Sequence, residues 1–284
     1  MKTIELMLES GIISLRKALD YSGSSRNLYY YKPKTREIGL DASIVESVKR
    51  LALERPSYGT RRTAATLTRE LRSPVNRKRI QRIFRALNWT LPARKKSEII
   101  RSSTKLVKAT RPYELWETDL TYVWSGVDGW SYLFNVEDVF QREWSGYAFD
   151  TRAVKENAIM SVNNALAAHP QVDPKELTLR CDNGSQYRSW AFRESMKDLG
   201  IKKLEYIHYN TPEQNGHVES FHKTLKKEYV WTHDFKNYQE AEIAIADAFK
   251  DYNENRIHSA LGYKTPYEFL SSYLSMKTEE TRKV

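Results

Sequence analysis

The spacing of apolar residues is helical through the first third of the chain. Residues 12–31 predict two short helices on either side of Gly23, the second capped by Ser24 or Ser25. Residues 43–90 predict three more helices, whose inward faces repeat at helical spacing: Ile44, Val48 and Leu51; Ala64, Leu67 and Leu71; Ile80, Ile83, Phe84 and Leu87. We expect Thr60 to cap the second of these three helices and Asn76 to cap the third.

After residue 113 the pattern alternates between strands and helices. "YELWETDLTYVW" predicts a strand, and "WSYLFNVEDVFQREWSGYAFD" predicts two more that join near residues 138–142. Further on we expect a helix over about 153–168, a buried strand in "ELTLRCDNGSQY", a helix in "SWAFRESMKDLG" and a strand in "IKKLEYIHY". The loop "NTPEQNG", helices over about 217–230 and 238–254, and a tail complete the chain. This order predicts an α/β fold, a mixed sheet with flanking helices, preceded by an all-α region.

Composition narrows the class of protein. The 284 residues suggest two domains, or one large domain with an appendage, and 40% apolar residues are enough for a core. We find no apolar run of about 18 residues, so we expect no membrane span. The start "MKTIELMLES" lacks the features of a signal peptide. Cys181, the one cysteine, excludes a disulfide framework and a cysteine-based zinc site, so the composition suits the reducing cytoplasm.

Charge is divided unevenly along the chain. Residues 1–110 carry an excess of +16, so residues 111–284 carry −6 of the total of +10. The third helix of residues 43–90 has basic residues opposite its apolar stripe, namely Arg77, Lys78, Arg82 and Arg85. The helix before it begins with two arginines, Arg61 and Arg62. This pattern predicts a helix-turn-helix whose last helix enters the major groove of DNA. The alternative is a small helical bundle whose arginines are only solvated. Residues 92–112, with a net charge of +6, predict a basic linker that follows DNA phosphates.

Three carboxylates occupy positions where α/β sheets build their sites. Asp119 lies inside a predicted strand, Asp182 directly follows an apolar strand, and Glu219 is on the helix after the loop. Carboxylate oxygens suit Mg²⁺ or Mn²⁺, and a pair of such ions can hold the attacking and leaving oxygens of a phosphoryl displacement. Clustering three carboxylates without cations would cost repulsion, so the pattern predicts a metal site.

The helix of Glu219 carries basic residues on the same face, namely His222, Lys223 and Lys226. We expect Glu219 to hold metal while its neighbours contact phosphates. The alternative is an ordinary Glu219–Lys223 pair that supports the helix.

The segments that contain the three carboxylates resemble the motifs of a known family. "WETDLTYV", "CDNGSQY" and "NGHVESFHKTLKKE" resemble the three catalytic motifs of DDE transposases and retroviral-type integrases. With "YGTRR", "NRKRIQRI" and "YNENRIHSALGYKTPYEF", residues 12 to 271 resemble transposases of the insertion sequence three family, specifically the second reading frame product. The resemblance implies a ribonuclease H-like catalytic domain, Mg²⁺ dependence, and DNA cleavage and strand transfer at element ends. It matches Asp119, Asp182 and Glu219 to the catalytic triad, and Lys223 and Lys226 to contacts with terminal DNA. The gap 183–218 is one residue longer than is usual in the family.

These inferences give a domain plan and a set of partners. The plan is an N-terminal helical segment, a helix-turn-helix domain, the basic linker, an integrase catalytic core with a C-terminal helix, and a tail: 1–40, 41–91, 92–112, 113–271 and 272–284. The expected partners are double-stranded DNA (inverted repeats and target) and a second copy of the chain, at least a dimer in the synaptic complex. By resemblance, the upstream reading frame product is a further partner as a fusion. We expect a cytoplasmic, nucleoid-associated protein of a prokaryote.

Three other classes of protein remain open on the sequence. They are a transposase-derived protein that only binds DNA, a ribonuclease H-type nuclease, and a helix-turn-helix regulator with a ligand-sensing domain. The intact set of acids argues against the first, and the basic helical region argues against the second. The third class would not predict metal-dependent nicks in DNA. For Asn255, Arg256 and His258 the sequence leaves helix packing and DNA contact equally open.

Overall fold

The computed structural model describes residues 2–9, 11, 13–30, 41–90, 108–207 and 216–282. The chain divides into two compact units, Met1–Ala42 and Ser43–Val284. The predicted basic linker lies outside the described residues except for 108–112. The predicted loop "NTPEQNG" lies outside them except for Gly216.

The first unit is helical. It contains α1 (Lys2–Glu9), α2 (Leu15–Ser22) and α3 (Arg26–Tyr30). Ile4, Ala18 and Leu19 are buried together at the centre of this unit. Gly23 ends α2 at a φ of 62°, a conformation that favours glycine, so the predicted pair of helices around Gly23 is confirmed. The sequence pattern did not predict α1.

Three helices follow at the start of the second unit: α4 (Ala42–Glu54), α5 (Thr60–Glu70) and α6 (Arg77–Ala86). Their core contains nearly all the predicted stripe. The Asn76 side chain accepts a hydrogen bond from the backbone N–H of Lys78 and caps α6 as predicted. The cap predicted at Thr60 is wrong, because Gly59 precedes the first helical residue and offers no side-chain bond. Leu71 is also not a core residue: it stands where α5 ends and is 45% exposed.

A five-stranded mixed sheet forms the centre of the second unit. The strands are β1 (Leu115–Trp124), β2 (Trp130–Asp138), β3 (Trp144–Asp150), β4 (Thr178–Cys181) and β5 (Lys203–Tyr206), in the order β3-β2-β1-β4-β5. β1 pairs antiparallel with β2 and parallel with β4, because a helix connects β3 to β4 and returns the chain in the direction of β1. The predicted mixed sheet is confirmed.

Helices cover both faces of this sheet. One face packs against α7 (Lys155–Ala168), α8 (Ser185–Arg188) and α9 (Trp190–Asp198), with Trp116 and Phe134 in the shared core. The other face packs against α10 (Gly216–Leu225), which continues as a π-helical turn over Lys226–Val230, and against α11 (Tyr238–Glu254). The chain then forms α12 (Pro266–Arg282), so the residues predicted as a tail are helical as far as Arg282. None of the described helices is long and apolar enough to cross a membrane.

The α4–α6 bundle is fixed to the sheet domain by polar contacts. Arg55 donates hydrogen bonds to both carboxylate oxygens of Asp251 on α11. Ser57 donates to Glu228 in the π-helical turn, and the hydroxyl of Tyr58 accepts from the backbone N–H of Ile257. These contacts come from the segment 55–58 between α4 and α5, so that segment orients the bundle on the core.

Candidate active site and DNA-binding surface

Two of the predicted carboxylates meet at the centre of the sheet. Thr118 on β1 is in register with Cys181 on the parallel strand β4, so Asp119 and Asp182 are the next residues along two neighbouring strands. Asp119 lies in the middle of β1 and Asp182 directly follows the last residue of β4, and this register brings the two side chains together on neighbouring strands. On its other side Asp119 is in register with Asn135 of β2.

The turn after β4 holds Asp182 in place. Its Oδ1 accepts a hydrogen bond of 2.9 Å from the backbone N–H of Gly184. The side chain of Asn183 donates to the carbonyl of Ile207 at 2.7 Å, which ties the turn to the end of β5. A Cβ atom on Gly184 would stand 3.0 Å from Asp182 Oδ1, so a larger residue there would push on the carboxylate.

Glu219 belongs to the first turn of α10 and is more open to solvent than the two aspartates. Its carboxylate lies 3.5 Å from Nζ of Lys223, so these residues form the ordinary helical pair considered as the alternative. One turn further, Nζ of Lys226 lies 4.7 Å from the ring centre of Tyr122 on β1. Lys226 therefore covers the edge of the strand that carries Asp119.

Electrostatics links the three carboxylates. Burial, followed by the charges of Asp182 and Glu219, raises the pKa of Asp119 to about 7. Burial also raises the pKa of Asp182. The three acids are thus close enough to repel one another, although Leu120 and Gly184 donate backbone hydrogen bonds to the aspartates.

The donors suit a hard divalent cation, since all of them are carboxylate oxygens and their mutual repulsion is what such an ion relieves. Among the residues that the structure describes, however, no three carboxylate, histidine or cysteine side chains stand close enough to bind one metal ion together.

The structure places His222, which the sequence predicted as a DNA contact, next to Asp119. Its side chain is 12% exposed, with Nδ1 3.5 Å from Oδ2 of Asp119 and Nε2 3.0 Å from the amide nitrogen of Asn135. Burial, and then the charge of Lys226, lowers the pKa of His222 to about 3, so the ring is neutral near pH 7. His222 is therefore a half-buried, neutral imidazole next to Asp119, and its contact with DNA stays a prediction.

Domain models of known protein families match most of the chain. An integrase core domain model matches residues 109–205, a second integrase core domain model matches residues 200–266, and a helix-turn-helix-like domain model matches residues 40–97. The uncharacterized 31 kDa protein of insertion element IS600 from Shigella sonnei is 31% identical over 278 residues, covering 89% of this chain and 97% of that protein. The chain belongs to the insertion sequence three family of DDE transposases.

Other relatives and solved structures extend the comparison. The uncharacterized 31.7 kDa protein of insertion element IS407 from Burkholderia multivorans is 31% identical, covering 92% of each chain. The transposase InsD for insertion element IS2D from Escherichia coli is 29% identical and covers 81% of this chain and 79% of its own. Among solved structures, the catalytic core of HTLV-2 integrase, in complex with magnesium, is 19% identical with a TM-score of 0.44, covering 57% of this chain and 99% of that one. The integrase core domain models and the transposase relatives confirm the predicted integrase-type catalytic domain and the assignment as a polynucleotidyl transferase.

The predicted DNA-binding residues of the transposase fall into two groups. Five lie exposed on the α5–α6 surface: Arg61, Arg77, Lys78, Arg82 and Arg85. Arg62 is different, because its guanidinium lies 5.5 Å from the ring centre of Tyr58 and 3.9 Å from Glu228 of the core. Arg62 therefore packs between the bundle and the sheet domain instead of joining the exposed basic surface.

Sequence reasoning missed a buried row of ion pairs next to Asp119 and Asp182. Arg180 on β4 donates to Glu117 on β1 at 2.7 Å and to Glu205 on β5 at 2.9 Å. Glu117 also accepts the backbone N–H of Val218, the residue before Glu219, at 3.1 Å. The signal was present in the sequence, since Glu117 lies two residues before Asp119 and so shares its face of the strand.

Cys181 and the Asn255–His258 segment also have clear placements. Cys181 is fully buried and burial raises its thiol pKa, as expected for a strand residue that is not a nucleophile. Arg256 is buried and donates to both carboxylate oxygens of Glu228, at 2.8 and 2.9 Å. For Arg256, which the sequence left open, the structure favours packing.

Proposed function

We propose that this transposase cuts DNA at the ends of its insertion sequence and transfers the cut strands to target DNA, with Asp119, Asp182 and Glu219 as the catalytic carboxylates. The observation that carries the proposal is the placement of Asp119 in β1 beside Asp182 at the end of the parallel strand β4, with Glu219 near enough to raise the pKa of Asp119. Membership of the transposase family supports it.

The carboxylates would hold divalent cations, Mg²⁺ or Mn²⁺ in its place, and two ions in the complete site. Bound there, the cations would activate the attacking oxygen and neutralise the leaving 3′-oxygen of an in-line displacement. Asp119 and Asp182 would hold the cations together, because they come from adjacent strands that place their side chains side by side. Glu219 approaches from the helix and completes the set. His222 keeps the Asp119 carboxylate directed into the site.

Binding of DNA is assigned to two surfaces. The exposed face of α6, with Arg77, Lys78, Arg82 and Arg85, suits the major groove of the terminal repeats. Lys223 and Lys226 on α10 flank Glu219 and suit phosphates at the cleavage point.

We also propose that the active assembly holds two element ends and at least two copies of this chain, with the upstream reading frame product as a fusion partner. Pairing two ends requires two end-binding surfaces, and each chain supplies one α4–α6 bundle. The cytoplasm, at the nucleoid, is the proposed place of action.

A cleavage assay tests the function. Purified chain is mixed with a plasmid that carries the gene's own flanking DNA, with Mg²⁺, with Mn²⁺ or with chelator, beside the Asp182→Asn variant. We expect metal-dependent nicks at the flanking repeats, absent in the variant. Metal-dependent nicks that persist in Asp182→Asn would contradict the assignment of the site. Specific retention of the repeats without nicks would instead favour a transposase-derived DNA-binding protein, and the assay is then repeated with the upstream fusion.

A further inference from the structure

A polar cavity of about 220 Å³ lies on a side of α10 next to the catalytic face. Its walls come from the sheet domain, from α5 and from the Asn255–His258 segment, and three arginines are among them. We name it the arginine well and define it by the following residues: Arg62, Arg142, Arg256, Glu137, His217 and His258. Ser220 and Thr224 of α10 also line it. Neither the catalytic site nor the α6 surface includes this cavity.

The cationic groups of the well exceed the anionic partners that the described residues supply. Arg256 is neutralised by Glu228, with which it makes two hydrogen bonds. Arg62 approaches the same carboxylate only to 3.9 Å. Arg142 makes no hydrogen bond or ion pair with any described residue. Arg62 and Arg256 thus share the carboxylate of Glu228, and half-buried Arg142 has no carboxylate partner within the described part of the chain.

The other ionisable groups in the wall do not supply the missing negative charge. Burial raises the pKa of Glu137 to about 8, so this acid is largely protonated at pH 7. Its Oε2 atom is buried and has no hydrogen-bond partner within the described part of the chain. Burial, and then the charges of nearby arginines, lowers the pKa of His258 to about 2. The ring of His258 is thus neutral at pH 7 and adds hydrogen-bonding capacity without charge.

The backbone at Arg142 also favours a role for its side chain. Arg142 has a φ of 57°, in the turn between β2 and β3. This conformation favours glycine or asparagine and costs other residues about 1 kcal/mol or more. Glycine at this position would remove the backbone strain, but it would not provide a guanidinium group in the wall of the well.

We propose that the arginine well binds one tetrahedral oxyanion of the phosphate class. A cavity of about 220 Å³ has room for such an anion together with some of its water. Arg142 and Arg62 supply guanidinium donors that fit oxyanion geometry, and Ser220 and Thr224 supply hydroxyl donors from α10. The protonated carboxyl of Glu137 donates from the floor.

The anion has two possible sources with the same chemistry, inorganic phosphate and a phosphate group of bound DNA. The mouth of the well is open, since Ser220, Ser259 and Ala260 are all exposed. A phosphate can therefore enter without unfolding of the wall. The DNA source rests on the proposed function, whereas the inorganic source does not.

The first test uses no DNA. Thermal unfolding of the full chain is measured in sodium phosphate and in sodium chloride of equal ionic strength. We expect phosphate at about ten times its Kd to raise Tm by roughly 3 °C or more, and Arg142→Gln to lose that increase. The control is Arg72→Gln, because Arg72 is an exposed arginine that also has a positive φ, of 48°. Thr224→Val serves as the second variant if Arg142→Gln does not fold.

The second test measures affinity for end-repeat DNA against salt concentration. If the well takes a DNA phosphate, Arg142→Gln lowers the slope of log K against log salt by about 1 unit. Phosphate then weakens DNA binding more than chloride does at the same ionic strength. If it takes free phosphate, that slope is unchanged and the Tm increase remains. Equal Tm shifts in wild type and both variants, with an unchanged slope, would mean that water fills the well and would overturn the proposal. Cleavage by the wild type is measured in a separate assay, so a failure of the proposed transposase function can be told apart from a failure of the phosphate-binding proposal.

Discussion

The carboxylate of Glu117 accepts the backbone N–H of Val218 at 3.1 Å, although the two residues are 101 positions apart in sequence. The bond joins the strand that carries Asp119 to the helix that carries Glu219, because Glu117 is two residues before Asp119 and Val218 directly precedes Glu219. Glu117 is fully buried and is also paired with Arg180. We therefore expect the distance between Asp119 and Glu219 to depend on Glu117.

Glu117→Gln tests this dependence. Glutamine keeps a carbonyl acceptor for Val218 but removes the negative charge from Arg180, so the joint between strand and helix weakens. We expect a single-turnover cleavage rate about 10-fold lower, a higher metal concentration for half-maximal rate, and an unchanged affinity for end-repeat DNA.

Glu205→Gln is the matched control, since it removes the other partner of Arg180 without touching Val218. It should lower stability by a comparable amount, about 1–3 kcal/mol, while the cleavage rate stays within about 2-fold of wild type. Equal losses of rate in the two variants would mean that Glu117 acts through general stability alone.

Metal-free stability should fall as pH rises from about 4 to 7. The folded-state pKa of Asp119, about 7, lies above its ordinary value of 3.8, so the folded chain holds a proton that the unfolded chain has lost. Asp119→Asn removes this effect, and we expect the variant to be more stable than wild type at pH 8 by on the order of 2 kcal/mol. At pH 4 the two should be equally stable. Urea unfolding at both pH values in chelator measures the difference, and a variant less stable at pH 8 would contradict the repulsion between the acids.

A second pH effect is expected at the contact between the helical bundle and the core. Burial alone would raise the pKa of Glu228, but hydrogen bonds from Arg256 and Ser57 lower it below its ordinary value. Its stabilising effect is therefore present at pH 7 and lost as pH falls through the lowered pKa. We expect Glu228→Gln to cost about 3–5 kcal/mol at pH 7, because Arg256 is left buried without a counter-charge.

Guanidinium unfolding of Glu54→Gln provides the comparison for Glu228. The Glu54 pair with Arg50 is exposed, so its loss should cost less than about 1 kcal/mol. Similar losses in the two variants would mean that the contact between Arg256 and Glu228 adds little to stability.

Arg82 and Arg62 should respond differently in DNA binding, although both were predicted contacts. Arg82→Ala removes an exposed charge from α6 and should lower the salt slope of end-repeat binding by about 1 unit. Arg62→Ala should lower the unfolding midpoint, since its guanidinium packs on Tyr58 and Glu228. Its slope should change only if Arg142→Gln changes it too, because both residues line the arginine well. A slope that falls for Arg62→Ala but not for Arg142→Gln would place Arg62 on DNA outside the well.

The sequence predicted the elements well and the long-range pairings poorly. Strong periodicity in α6 and α11, and the apolar strand before Asp182, place these elements to within a residue or two. Patterns of this kind record which face of an element is buried, and so they located Asp119 and Asp182. They do not record which polar group meets which across the fold. Arg62, His222 and Glu117 therefore received their placements only from the structure, because each is defined by partners far away in sequence.

The π-helical turn after α10 has a mechanical consequence. Glu219 and Glu228 belong to one continuous helical segment, nine residues and about 13 Å apart. One end carries Glu219, and the other end bonds to Ser57 from the helical bundle and to Arg256. A single helical segment therefore connects the bundle to the candidate active site. If the bundle tilts as it binds an element end, we expect the segment to carry that displacement to Glu219.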